Sequence, residues 1–283
     1  MAEGSGIVMK YREAMQEGEK ILQEAGIVDA KNDAWLLLAM VCKVDHTYYY
    51  MHMEEELMPE QQDEYCVVIR KRAEHVPLQY ITGEQEFMGL PFKVNSNVLI
   101  PRQDTETLVE EALKVIRPGM KVLDMCTGSG CILISILKNV LNVEGVGCDI
   151  SKQALIVAKE NAKLNNVVAT FERSDLFDHV TETFDVIVSN PPYIRTEEIA
   201  TLMPEVCQFE PVGALDGKED GLFFYRKMIA ESSKYLNPNG VILFEIGYDQ
   251  GQDVSLMLKE AGYQDVQIVK DLAQNDRVVI GRL

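Results

Sequence analysis

The run Phe184-Asp185-Val186-Ile187-Val188 leads directly into Ser189-Asn190-Pro191-Pro192-Tyr193. Each proline fixes its own φ and disfavours the α region for the residue before it, so a turn built on two of them is stiff. The Asn190 amide oxygen and a backbone carbonyl freed by the prolines can accept both hydrogens of an NH2 group. The Tyr193 ring can face a planar substrate or a sulfonium cation. That is chemistry for holding a planar nitrogen that is itself a weak nucleophile. Asn-Pro-Pro is also common punctuation at the end of a strand, so the context has to decide.

The context lies upstream. Lys121 to Met125 reads as a short buried strand that runs into Cys126-Thr127-Gly128-Ser129-Gly130, and Cys131 to Val140 reads as the helix that follows. Two glycines allow close backbone approach to a ligand, and the amino end of a helix offers free N–H groups to an anion. The anion could be a dinucleotide pyrophosphate or the carboxylate of S-adenosylmethionine. The dinucleotide fingerprint needs a third glycine, and Leu133 stands at that place. Val143 to Ile150 reads as a second strand carrying Asp149, where an acidic side chain can bind ribose hydroxyls. Asp175 and Leu176, after the following strand, fall on the same ligand-binding edge. A glycine turn, an acidic strand end and Asn-Pro-Pro-Tyr at this spacing point to a nucleoside-binding methyl transferase.

Those groups have to be positioned by an α/β scaffold. From Asp104 onward helices (Thr105–Ile116, 131–140, Ser151–Asn166, Gly221–Leu236, Val254–Ala261) alternate with strands, the later ones being Val167–Phe171, Phe184–Ser189, Gly240–Ile246, Asp265–Val269 and Arg277–Ile280. This pattern predicts a doubly wound, mostly parallel sheet with helices on both faces and ligands above the carboxyl ends of its strands. Residues from about Ser5 to Arg72 show helical periodicity instead. Ala34, Leu37, Leu38, Met40 and Val41 make one apolar face, a second helix is expected from Pro59 to about His75, and Tyr48-Tyr49-Tyr50 reads as an exposed recognition patch or, as is more usual for aromatics between helices, as closing a core, which is the expectation. The domains expected are a helical domain over 1–76, a connecting β-hairpin segment over 77–101 and a ligand-binding domain over 102–283.

Of the 283 residues, 47% are hydrophobic and 25% charged, as in a globular protein. No stretch approaches the roughly 20 apolar residues of a membrane span, and the start lacks the basic and apolar regions of a secretion signal, so a soluble intracellular protein is expected. The six cysteines and four histidines show no metal-ligand spacing, and no metal is expected. Cys126, near a helix start, is where a lowered thiol pKa could arise, although packing is the simpler role. A formal net charge of −18 opposes binding of nucleic acid over most of the surface and favours a protein partner with a basic face.

With these residues in place the chain closely resembles the release-factor glutamine methyltransferases, the PrmC/HemK family, over nearly its whole length. The resemblance is carried by Pro77-Leu78-Gln79-Tyr80-Ile81-Thr82-Gly83, Pro101-Arg102, the glycine loop, Asn190 to Tyr193, Phe209-Glu210-Pro211 and Asn275-Asp276-Arg277. It implies the class I S-adenosylmethionine-dependent methyltransferase fold, a seven-stranded sheet with a small helical bundle before it that docks the substrate. The donor implied is S-adenosyl-L-methionine, leaving S-adenosyl-L-homocysteine. The acceptor implied is the side-chain amide of the Gly-Gly-Gln glutamine in class-I peptide chain release factors, in a bacterial cytoplasm. Cys126, Thr127, Gly128, Ser129, Gly130, Asp149, Asp175, Leu176 and Asn190 would bind the cofactor. Asn190, Pro191, Pro192 and Tyr193 would hold the glutamine, with Asn190, Pro191 and Tyr193 in the catalytic role. The chain departs from the family at Met125-Cys126, where Leu-Gly is usual, at Gln103, where proline is common, and at Leu176, where an aromatic can stand.

The reaction implied is an in-line displacement by an amide nitrogen whose proton afterwards passes to solvent. Glu210 reads as structural or as a base, and Arg102 as a turn residue or as a partner for Asp104 or Glu106. Two rivals remain from sequence: methylation of an exocyclic base amine, which needs a flipped base and a basic channel, and a non-catalytic protein that keeps only nucleoside binding.

Overall fold

The computed structural model describes residues 8–283, which divide into two compact units at Gly83/Glu84. Ser5, where the helical stretch was expected to start, lies outside the described residues.

The first unit is helical: α1 (Tyr11–Glu24), α2 (Ala30–Cys42), α3 (His46–His52), α4 (Pro59–Ala73) and α5 (Leu78–Thr82). Ala14 and Leu22 of α1, Ala34, Leu37 and Leu38 of α2 and Ile69 of α4 recur at helical spacing and meet in one core. Pro59 starts α4, where its missing N–H costs nothing. The Tyr65 hydroxyl of α4 donates to the Ala34 carbonyl at 3.2 Å, and Arg72 Nε donates to Asp33 Oδ2 at 2.7 Å with both side chains 8% exposed. Tyr48-Tyr49-Tyr50 departs from expectation. These residues form α3, and consecutive helical positions point about 100° apart, so three cannot all face inward. Tyr49 packs against the core edge beside Trp35, whereas Tyr48 and Tyr50 are exposed.

The segment 77–101 divides between the units. Leu78–Thr82 is helix α5 of the first unit, and only β1 (Glu84–Phe87) and β2 (Leu90–Lys93), at the start of the second, form the hairpin.

The rest of the second unit runs α6 (Glu106–Val115), β3 (Lys121–Met125), α7 (Cys131–Asn139), β4 (Glu144–Asp149), α8 (Lys152–Leu164), β5 (Thr170–Arg173), β6 (Phe184–Ser189), α9 (Pro204–Phe209), α10 (Phe223–Ser232), β7 (Leu236–Glu245), α11 (Gly251–Glu260), β8 (Gln264–Lys270) and β9 (Asp276–Arg282). Seven strands form one sheet in the order β5-β4-β3-β6-β7-β9-β8, in which only β9 runs against both its neighbours. The strands alternate: Val122, Val186, Val188, Val241, Leu243 and Val278 enter the core under α6, α7 and α8. Their neighbours Leu123, Ile187, Ile242, Phe244 and Val279 enter the opposite core under α10 and α11. The apolar sequence from Val167 does not pair until Thr170, and Val168 is 94% exposed. Leu236, expected to end a helix, instead opens β7. No described helix is long and apolar enough to cross a membrane.

Strand order reverses at β3, since the chain proceeds outward through β4 and β5 and then returns to the other side for β6 and β7. Ligands of open α/β sheets bind at such a switch point. One buried amide reinforces it. Asn161 of α8, fully buried, accepts from Lys93 N at 2.7 Å and donates to the carbonyls of Lys93 at 3.0 Å and Ser129 at 2.9 Å. It ties the hairpin to the glycine loop. Asn161→Ala would orphan these groups and is expected to lower stability by about 2–3 kcal/mol, measured by urea denaturation.

Candidate active site

A cleft of ≈ 480 Å³ opens above the carboxyl ends of β3, β4 and β6, inside the roughly 300–1,000 Å³ range of small-molecule sites. Its walls include Cys126, Thr127, Gly128, Ser129, Asp149, Asp175, Leu176, Asn190 and Pro192. Gly130, Pro191 and Tyr193 are not among the lining residues. Tyr193 packs against the core under α10, its carbonyl accepts from Gln250 Nε2 at 2.9 Å, and burial drives its hydroxyl pKa up.

The glycine loop is shaped by close packing. Gly130 has φ +80°, and a Cβ there would sit 3.0 Å from the Ile134 side chain and 3.2 Å from that of Ala158, so this glycine lets α8 approach. Cys126 adopts φ +62°, the left-handed conformation in which glycine is at ease, so the loop keeps its backbone path despite the side chain. Burial, helped by the nearby Asp149 and Asp124, raises the Cys126 thiol pKa, which is the opposite of an activated thiol.

A buried carboxyl lies near the amino end of α7. Asp124, completely buried at the heart of β3, accepts from the Thr127 hydroxyl at 2.6 Å and faces the Leu133 N–H. Burial pushes Asp124 up to about 7, against the pull of these two donors. Asp149 receives Gly128 N on one oxygen and Ser151 N on the other, each at 2.9 Å, so the carboxylate is fixed while each oxygen keeps a further lone pair. Burial raises its pKa. Buried Ser174 donates to the Leu176 carbonyl at 2.6 Å and accepts from His179 N at 3.0 Å, which fixes the turn carrying Asp175 and Leu176.

Arg102 does not turn to Asp104 or Glu106; it pairs with Glu210, which is 4% exposed and also accepts from Ile100 N at 3.2 Å. Asp104 pairs with Arg277 at 3.2 Å, and Glu106 accepts from Met88 N at 2.6 Å. Glu210 thus bonds one wall of the cleft, Asn97 to Arg102, to the Pro211 to Asp216 wall, and its oxygens are occupied by that work.

The Asn-Pro-Pro-Tyr turn is braced backbone on backbone. Ile194 N donates to the Leu215 carbonyl at 2.9 Å and Gly217 N to the Ile194 carbonyl at 2.8 Å. Gly221, at φ +75°, passes so near that a Cβ would lie 2.4 Å from the Tyr193 carbonyl oxygen. Asn190 Nδ2 donates to Thr105 Oγ1 at 3.3 Å, which leaves the Asn190 oxygen as the arm free for the cleft. Asp124, Thr105, Asn161, Ser174 and Phe224 are site or supporting residues that motif reading missed. For Asp124 a signal existed, a carboxyl inside an otherwise apolar strand.

Comparison with known proteins agrees with this geometry. The PrmC N-terminal domain family matches residues 13–83, and the methyltransferase small domain family matches residues 103–206. A release factor glutamine methyltransferase of Clostridium acetobutylicum is 41% identical, covering 96% of this chain and 98% of that relative. The chain belongs to the release factor glutamine methyltransferase family. A second family member, from Agrobacterium fabrum, is 40% identical over 93% of this chain and 94% of its own. In structure, a methyltransferase from Pyrococcus furiosus superposes with a TM-score of 0.53 at 18% identity, over 69% of this chain and 89% of its own, which is likeness of fold.

Proposed function

We propose that the protein methylates the side-chain amide nitrogen of the Gly-Gly-Gln glutamine in class-I peptide chain release factors, with S-adenosyl-L-methionine as donor, in a bacterial cytoplasm. The observation that carries the reading is Asn190, whose NH2 group meets Thr105 while its oxygen remains for the cleft, in a chain of this family.

The cleft residues fit the cofactor. A side chain at Gly128 would meet nothing nearer than the Cys126 carbonyl at 4.0 Å, so the loop backbone is open to a ligand there. Asp149 has lone pairs to spare for ribose hydroxyls, while Asp175 and Leu176, on the same cleft wall, would border the adenine. Arg102 brings a cation to the wall, where a carboxylate can meet it. When bound, the cofactor supplies an electrophilic methyl group on sulfur. The chain's own residues act on the acceptor. The Asn190 oxygen and a carbonyl of the turn accept the two N–H groups of the glutamine amide, fix its plane, and favour the positive charge that grows on nitrogen. Pro191 and Pro192 keep those acceptors from yielding, and alignment of this kind supplies up to roughly 7–11 kcal/mol. The proton leaves to solvent, since Glu210 is engaged elsewhere. The helical unit docks the release factor, and the net charge of −18 disfavours nucleic acid as the substrate.

Labelled methyl transfer to purified release factor, to its Gln→Ala variant and to DNA and ribosomal RNA tests the reading. Label on the intact factor alone is expected; label on nucleic acid alone would overturn the substrate.

A further inference from the structure

Beside Asn190 lies a carboxyl group to which the proposed chemistry gives no part. Glu245 ends β7, and because Ser189 stands opposite Phe244 in the sheet, Glu245 is the cross-strand neighbour of Asn190. It is 2% exposed, and its Oε2 is buried with no hydrogen-bond partner. Its backbone is held rigidly, since the Tyr225 hydroxyl donates to the Glu245 carbonyl at 2.8 Å. The Thr105 hydroxyl and the Asn190 amide, themselves joined at 3.3 Å, lie near enough to the carboxyl to favour its charged form.

A side-chain amide has two unlike ends, and a hydroxyl does not discriminate between them because it both donates and accepts. Thr105 alone therefore leaves the Asn190 amide able to turn over and present its NH2 group to the cleft, where it would repel the substrate's own NH2. An ionised carboxylate only accepts. We propose that Glu245 is a positioning residue for methyl transfer: as an acceptor it holds the Asn190 NH2 group and the Thr105 hydroxyl, so that the Asn190 oxygen is the end presented to the substrate amide. This rests on the functional reading above and adds what fixes the orientation of its central residue.

The surroundings make the device sensitive to pH. Burial pushes Glu245 up to about 7, Thr105, Arg277 and Asn190 oppose that rise, and Asp104 adds to it. The other titratable groups facing Glu245 are Tyr193 of the turn, Tyr225 of α10 and Cys131 of α7. Burial raises the pKa of all three well above neutrality, so they stay uncharged there. Below the Glu245 pKa the carboxyl gains an O–H and competes as a donor, and above it the Asn190 orientation is enforced. The turnover of the wild-type protein is therefore expected to rise with pH through about 7.

The test uses the full chain with labelled S-adenosylmethionine and purified release factor. Glu245→Gln, nearly isosteric, is expected to lower kcat by about 10²-fold, to leave KM for the factor and cofactor affinity by calorimetry little changed, and to abolish the inflection near neutrality. Thr105→Val is expected to lower kcat less and to keep the inflection. A Glu245→Gln protein with wild-type kcat and profile overturns the proposal. Where that variant fails to bind cofactor, undiminished turnover of Thr105→Val overturns it instead. A readout independent of substrate is the side-chain amide resonance of Asn190 in the 15N-asparagine-labelled protein, identified by its absence from Asn190→Ala. It should titrate near neutrality in the wild type and not in Glu245→Gln. If no release factor is methylated by the wild type, the functional reading fails, and this titration, or its absence, still decides whether Glu245 governs Asn190.

Discussion

Asn190→Ala is expected to reduce kcat for release-factor methylation by about 10²–10³-fold, the loss typical of removing one preorganised polar group from a developing charge. Cofactor affinity should hardly change, because the loop from Cys126 to Gly130 and Asp149 remain fixed by bonds that do not involve Asn190. The fold should hold as well, since the turn keeps its backbone braces to Leu215 and Gly217. Asn190→Asp restores an acceptor in the cleft, yet it places a second carboxyl beside Glu245, so only partial recovery follows. Single-turnover methylation with calorimetric cofactor binding distinguishes these outcomes. Near-wild-type turnover of the alanine variant would remove the turn from the mechanism.

Arg72→Met should have the largest effect on stability. The Arg72–Asp33 pair is buried in the helical unit, and Arg72 also donates to the Val76 carbonyl at 3.2 Å. Removing one partner leaves the other charge buried without compensation, a loss of about 3–5 kcal/mol. A unit of this size has only about 5–15 kcal/mol to lose. Urea denaturation should show the transition of the helical unit moved to much lower denaturant, with that of the α/β unit in place. If the helical unit docks the release factor, methylation falls while cofactor affinity stays. Neutralising the pair on both sides, Asp33→Asn with Arg72→Met, should recover part of the stability, because what costs most is the lone buried charge.

The α/β architecture was legible because strand and helix periods differ and because glycine, proline and acidic punctuation falls at strand ends. Val122 and Leu123 go to opposite faces as alternation demands, and Ser151 caps α8 by accepting from Ala154 N at 3.2 Å. Local rules failed where a partner is distant. Arg102 finds Glu210, and Asn161 finds Lys93, across sequence separations that no short pattern spans. They failed again where β-formers outrun their pairing, as at Val168. Asp124 and Glu245 were visible as carboxyls inside apolar strands, but periodicity says only that such a position is buried. What it does there depends on Thr127 and Leu133 in one case and on Thr105 and Asn190 in the other.

The placement of β9 has a consequence for the order of assembly during synthesis. This strand lies between β7 and β8, and it carries Arg277, which reaches Asp104, Asp271 and the Ile246 carbonyl. Until residues 276–282 have been made, β7 has an unpaired edge from Val241 to Glu245, and the turn bearing Asp104 and Thr105 lacks its cationic tie. The glycine loop, β3, β4 and β6 are all complete in the chain before then. A nascent chain thus carries every side chain that lines the cleft before it has the strand whose arginine ties the Asp104 turn in place, and its sheet is closed last, from the far side.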